Sequence, residues 1–218
     1  MKHAIIIRFL FKDNIESFDE RLKMFKCNMI ESLTKQTVQD FDLYVLCNES
    51  HNSTVQELWS KIRVINNERV LNQLTESIND GKCSMYILEH FSIRGFKDYD
   101  ILTRVDSDDR VREDFVEHIH SEYYKYKDDC VVLSFTPIWL ELSTNKKYVS
   151  GNVKYHNRFT SMFSSVINPS SFIYCDNHID LWKQVDRVVT VDEGYCYLCV
   201  HNYNLSTKIK KEYIEVEE

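Results

Sequence analysis

Apolar positions fall into two patterns along this chain: short continuous runs, and longer stripes with steps of three and four. Residues Ala4–Phe11 form the first run, interrupted only by Arg8, and Phe41–Cys47 form the second. Runs of this length without alternation predict strands buried on both faces. Between them Ile15, Phe18, Leu22, Phe25, Met29 and Leu33 trace one face of a long helix, opened by a capping box of Asp13 and Glu16. A short helical face (Val55, Leu58, Trp59, Ile62) precedes a short strand at Arg63–Ile65, and a further helix is expected over Lys82–Arg94. The strand Asp100–Val105 follows, and then a helix carrying Phe115, Ile119, Tyr123 and Tyr126.

Alternation of strand and helix up to about residue 126 predicts an α/β fold with a mixed, mostly parallel central sheet flanked by helices. The second half differs. Cys130–Phe135 reads as a strand, and Ile138–Leu142, a polar turn and Tyr148–Val149 read as a hairpin. Phe163–Ile167, Ser171–Tyr174 and Arg187–Val191 are short strands. Glu193–His201 reads as a helix, and a charged tail from Lys208 is expected to be loosely held. No linker-like composition interrupts the chain, so residues 1–218 are read as one domain. Its parts are a nucleotide-binding half over 1–110, an acceptor-shaping half over 111–207 and the tail over 208–218.

Composition narrows the function. The chain has 218 residues, 43% of them hydrophobic, with only four Gly and two Pro, which suits a sizeable core and disfavours a loop-built or repetitive protein. A net charge of −7, with no basic run beyond Lys208-Ile-Lys-Lys211, argues against the positive stripe that nucleic-acid binding needs. An acidic protein can still take an anionic diphosphate if a bound cation supplies the missing charge. The N-terminal run is too short for a signal peptide or a membrane span, and seven scattered cysteines suit a reducing compartment. The glycosylation sequons at Asn48, Asn52 and Asn204 are then chance, and the expected location is cytoplasmic.

The chemistry concentrates at one place. The strand ending at Val105 breaks into Asp106-Ser107-Asp108-Asp109. Clustered carboxylates at a strand end suit a hard divalent cation and the phosphates it carries. Residues i and i+2 of an extended segment point the same way, so Asp106 and Asp108 can converge while Asp109 turns elsewhere, for example to cap the following helix. A solvated turn is the plain alternative. Arg104, inside an apolar strand, either reaches a phosphate or pairs with a core carboxylate, and Arg8 poses the same question. Cys196-Tyr-Leu-Cys199 lacks the further ligands a zinc site needs and reads as two buried helix-face cysteines. Trp139, Tyr148, Tyr155, Phe159 and Trp182 read mainly as core. No Gly-rich phosphate loop, nucleophile elbow or HExxH helix is present.

Three segments carry a resemblance. Ser32–Leu46, with Gln36-Thr37 and then the strand Phe41-Asp-Leu-Tyr-Val-Leu46, looks like the front of GT-A glycosyltransferases. Thr103-Arg-Val-Asp-Ser-Asp-Asp109 resembles their DxD region in the form found in rhamnosyltransferase-like enzymes of bacteria and large viruses. Tyr197–Ser206 is similar to that family's closing segment, with Tyr197 in place of a tryptophan. The resemblance implies a nucleotide-diphosphate sugar donor, such as UDP- or dTDP-rhamnose or hexose, and Mn²⁺ or Mg²⁺ as cofactor. It further implies transfer to an acceptor hydroxyl of a glycan or glycoconjugate, as in polysaccharide biosynthesis, with inversion.

Carried over residue by residue, Asp108 is the metal ligand, with Asp109 and His201 as further ligands. Asp106, Ser107, Arg104 and Arg8 face the donor. Asp192 and Glu193, after the strand Arg187–Val191, are the candidates for the catalytic base, with Asp192 ahead as the residue leaving the strand. Asp176 and His178 are weaker alternatives. A phosphotransferase with an aspartate nucleophile is disfavoured by the mid-chain position of the aspartates. A non-catalytic GT-A-like module that binds sugar or calcium within a larger assembly is the competing class.

Overall fold

The computed structural model describes residues 1–9, 18–65, 98–150, 164–167, 187–191, 194–201, 209 and 213–216. The helix expected over Lys82–Arg94, the strand Ser171–Tyr174, the capping box and residues Asp176, His178, Asp192 and Glu193 lie outside them. Among the described residues the strands are β1 (His3–Arg8), β2 (Asp42–Leu46), β3 (Ile62–Ile65), β4 (Ile101–Asp106), β5 (Arg110–Val111), β6 (Val131–Phe135), β7 (Ile138–Glu141), β8 (Lys146–Ser150), β9 (Ser164–Ile167), β10 (Arg187–Val191), β11 (Cys196–Val200) and β12 (Tyr213–Val216). Helices α1 (Phe18–Phe25) and α2 (Glu31–Thr34) are joined by a π-helical stretch, Lys26–Ile30. Helices α3 (Asn52–Gln56) and α4 (Phe115–Tyr126) complete the set.

The strands form two sheets. Seven lie in the order β10-β6-β9-β4-β1-β2-β3 and five in the order β12-β8-β7-β11-β5. In the larger sheet β4, β1, β2 and β3 run parallel, β9 runs against both β4 and β6, and β10 is parallel to β6. Six of its seven strands therefore point the same way, and their carboxyl ends share one edge. The continuous apolar runs explain the centre: Ala4, Ile5 and Ile7 of β1 and Ile101 and Val105 of β4 are fully buried, as strands covered on both faces must be. Phe25, Met29 and Leu33, four residues apart, bury one helical stripe on this sheet, beside Phe115 and Ile119 of α4.

Two expectations are corrected. The segment read as a helix over Glu193–His201 contains strand β11, parallel to β7 and antiparallel to β5. The i, i+3 spacing of Cys196 and Cys199 suggested one helix face, whereas both are buried because β11 lies inside a sheet. The charged tail includes β12, which pairs antiparallel with β8 from Tyr213↔Ser150 to Val216↔Lys147.

Candidate active site

The aspartate turn is where the chain leaves one sheet and enters the other. Asp106 is the last residue of β4, and Arg110 begins β5. In β4, Arg8 of β1 pairs with Asp106, and Ile6 pairs with Arg104. Arg104 and Asp106 occupy the same face of the strand by alternation, and Arg104 is buried. The Arg8 backbone thus borders the turn, while its side chain lies outside the described residues.

The three carboxylates occupy different environments. Asp106 and Asp108 are partly exposed, whereas Asp109 is buried. Asp108 Oδ2 stands 3.0 Å from His201 Nε2, so the first residue after β11 meets the turn across 93 residues of sequence. The His201 side chain is only 7% exposed and that of Asp108 20%, so the pair is sheltered with the carboxylate on the open side. A carboxylate oxygen and an imidazole nitrogen at this separation make a hydrogen-bonded pair, and both are atom types that can ligate a divalent cation.

Asp109, expected as a further ligand, is turned inward. Its Oδ1 accepts from the Cys199 N–H at 2.9 Å, and its Oδ2 is buried with no hydrogen-bond partner among the described residues. Among the described residues, no three His, Cys, Asp or Glu side chains converge as a metal-binding group. Of the expected ligands Asp108, Asp109 and His201, the structure brings Asp108 and His201 together and turns Asp109 toward β11. The physical reason is the start of β5: pairing Val111 with Cys196 and Arg110 with Tyr197 points Asp109 at the backbone of β11. Burial first, and then the charges of Asp108 and Asp106, push the Asp109 carboxyl well above the usual carboxylate range and favour its protonated form. The same burial pushes the thiols of Cys196 and Cys199 up, which opposes a reactive dithiol.

One residue at the turn escaped the sequence reading. Asn28, in the π-helical stretch, is 3% exposed. Its Nδ2 donates to the Asp108 carbonyl at 2.9 Å, and its Oδ1 accepts from Arg110 Nε at 2.9 Å. Nearby, Ser32 Oγ accepts from the Val111 N–H, and Gln36 donates to the Arg112 carbonyl and accepts from the Val116 N–H. The helical face thus braces the segment after the aspartates along its length. The sequence signal available was only the polar character of Asn28 beside an apolar stripe.

The carboxyl-end edge of the larger sheet also receives the end of β10. Val191, its last residue, pairs with Phe135, and its carbonyl accepts from Thr136 N–H at 3.1 Å. Asp192 and Glu193 follow directly in sequence but lie outside the described residues. After them Gly194 adopts φ 107°, and β11 begins. Among the described residues, no helix is long and apolar enough to cross a membrane.

Comparison with known proteins agrees with this architecture. Solved structures of TarS from S. aureus superpose on the chain. The form comprising residues 1–349 with UDP-GlcNAc gives a TM-score of 0.59 at 13% identity, covering 96% of this chain and 62% of that one. The UDP complex of the same form gives 0.58 at 14%, with 92% and 61% covered. A further TarS structure gives 0.57 at 12% identity, with 92% of this chain and 37% of that chain covered. The chain thus spans less than two thirds of each of these relatives. At such identity the likeness establishes the fold, which is of the GT-A type. No curated protein sequence matches. Residues 2–213 match the family described as "Putative rhamnosyl transferase". The chain belongs to that family of glycosyltransferases.

Proposed function

We propose that the protein transfers a sugar from a nucleotide-diphosphate donor, UDP- or dTDP-linked rhamnose or hexose, to a hydroxyl of a glycan or glycoconjugate. The observation that carries this reading is the Asp108–His201 pair at the carboxyl end of the central strand of a GT-A sheet. Family membership and the nucleotide-sugar complexes of the structurally similar TarS support the donor class.

Asp108 and His201 are the residues that would hold a divalent cation, Mn²⁺ or Mg²⁺. When bound, such an ion neutralises the diphosphate and stabilises charge on the leaving group. Asp106 and Ser107, half-exposed at the mouth of the turn, orient the nucleotide and sugar. Arg104 and Arg8 are the candidate positive charges for the diphosphate. Asp109 ties the turn to β11 and so sets His201 against Asp108. Asp192, or Glu193 beside it, takes the proton from the acceptor hydroxyl as it attacks with inversion, a role worth about 10²–10⁴-fold in rate. Its support is topological: β10 runs parallel to β6 and ends at Val191 on the edge where Asp106 lies, and Asp192 and Glu193 are the next residues in sequence.

A thermal-shift screen of UDP- and dTDP-sugars, with and without Mn²⁺, tests this reading. A ligand that binds only the native state at a hundred times its Kd adds about 2.7 kcal/mol of stability. The expected result is a donor-specific shift that requires Mn²⁺ and disappears in Asp108→Ala. Sugar transfer that persists in EDTA and in Asp108→Ala would overturn it.

A further inference from the structure

We infer that Asn28 is a positioning residue for the proposed donor site, fixing the Asp106–Asp109 turn from the helix behind it. The inference rests on the proposed cation-dependent reading for its functional consequence, but its geometric content stands on the structure alone.

The amide has one orientation that satisfies both neighbours. Arg110 Nε can only donate, and the Asp108 carbonyl can only accept. Oδ1 must therefore face Arg110 and Nδ2 must face Asp108, as the 2.9 Å distances to each have it. A flipped amide would set donor against donor and acceptor against acceptor. At 3% exposure little water reaches the side chain, so neither bond has a ready substitute. Arg110 serves as an orienting group for the amide.

The π-helical stretch explains how the amide gets there. A π turn widens the helix by a residue, and here Asn28, Met29 and Ile30 are buried in succession. In a regular helix three consecutive positions spread over more than half the circumference and could not all face inward so well. Met29 and Ile30 pack on the core, while Asn28 is brought onto the backbone of the turn. The carbonyl it holds belongs to Asp108, the residue whose carboxylate meets His201. The turn is consequently fixed at three points: Asn28 on the Asp108 carbonyl, Cys199 N–H on Asp109, and His201 on the Asp108 carboxylate.

The substitution Asn28→Asp tests this. It keeps the shape and the acceptor for Arg110, but replaces the donor facing the Asp108 carbonyl with a repelling oxygen. Hydrogen exchange of the metal-free full chain is read at peptides spanning Asp106–Asp109 and, as an internal reference, at α4. Mn²⁺ binding with UDP present is followed by the electron paramagnetic resonance signal of free Mn²⁺. The expected result is faster exchange confined to the aspartate turn and at least about tenfold weaker Mn²⁺ binding, as loss of a supporting hydrogen bond gives at metal sites. Asn28→Gln and Ser32→Ala serve as comparisons: the first displaces the amide and should also loosen the turn, and the second should leave exchange there unchanged. Exchange at the turn equal to wild type, or raised equally across α4, overturns the positioning role. Failure of wild type to bind Mn²⁺ while Asn28→Asp still loosens the turn would sink the cation reading and leave the anchor standing.

Discussion

Asp109 Oδ1 accepts the Cys199 N–H at 2.9 Å inside the protein, so the aspartate turn and β11 are held together through a carboxyl with no access to solvent. That carboxyl has a raised pKa in the folded chain, through burial and through Asp108 and Asp106. The sign follows for an acid: a folded pKa above the unfolded value of about 3.9 penalises the native state at pH above it, and the penalty fades as pH falls through the folded pKa. Asp109→Asn keeps an acceptor for Cys199 without the buried charge. In metal-free protein it is expected to melt higher than wild type at alkaline pH, with the gap closing on acidification. Asp109→Ala leaves the Cys199 N–H unsatisfied and should cost about 1–3 kcal/mol. Melting curves of the three proteins between pH 5 and pH 9 check both, and an asparagine variant less stable than wild type throughout would refute the account.

Asp108 and His201 should behave in the opposite way. The Asp108 carboxylate is partly open at the turn with the His201 ring sheltered beside it, and in metal-free protein their pairing is one hydrogen bond with a net worth of about 0.5–1.5 kcal/mol. Asp108→Ala and His201→Ala are expected to melt within a few degrees of wild type without metal, yet to lose at least about tenfold in Mn²⁺ affinity. Isothermal titration with MnCl₂ in the presence of UDP measures this. Equal Mn²⁺ binding by wild type and both variants would remove the pair from the site.

A second polar cluster lies behind β4 and gives the fold an acid-sensitive element. His3 Nδ1 is 3.0 Å from His120 Nε2, and His3 Nε2 is 2.8 Å from Thr103 Oγ1, all buried between β1, β4 and α4. Burial lowers the pKa of both imidazoles. His120 and Lys61 lower that of His3 further, while Asp40 partly opposes the shift at His120 and the N-terminus adds to it. For a base with a lowered folded pKa, stability is complete above the unfolded value of about 6.5 and is lost as pH falls below it. There the unfolded chain takes up protons that the folded one refuses. The slope per group is up to about 1.4 kcal/mol per pH unit. Wild type should lose stability in urea on going from pH 7.5 to pH 5.5, and His120→Gln should lose less, since one of the refused protons is gone. Identical pH slopes for the two proteins would exclude the cluster as the source.

Much of this fold is legible in the sequence because burial on two faces writes itself as continuous apolar runs. Ile5–Ile7, Leu43–Leu46 and Ile101–Val105 declare the centre of the sheet, and the stripe Phe115, Ile119 declares α4. β11 reads as helix in the sequence because Cys196 and Cys199 are buried at a helical spacing in a strand whose neighbours are β5 and β7. β12 is not legible in the sequence because an edge strand pairs by its backbone, and its exposed Ile214 and Glu215 carry no core pattern. The site shows the same limit. The three aspartates within residues 106–109 look alike in sequence, and only the pairing of β5 with β11 turns Asp109 inward. Asn28 gains its place from a local change of helix geometry that side-chain patterning does not encode.

The junction between the proposed base and β11 supplies the last prediction. Gly194 has φ 107°, a conformation that only glycine adopts without strain, and a Cβ built there would lie 3.3 Å from Arg112 Nη1. Arg112 itself is committed: it pairs with Asp114, and its guanidinium lies 4.0 Å from the centre of the Tyr195 ring. The Arg112 N–H also donates to the Tyr195 carbonyl at 2.8 Å, so the backbone that follows the glycine is fixed. Gly194→Ala must either keep the strained φ, at roughly 1–3 kcal/mol, or move the segment that joins Asp192 and Glu193 to β11. The first outcome lowers the urea midpoint and leaves Mn²⁺ binding intact. The second also weakens Mn²⁺ binding, because β11 carries His201 to Asp108. Measuring both quantities on one variant separates them, and an alanine variant with wild-type stability would show that the glycine conformation carries no constraint.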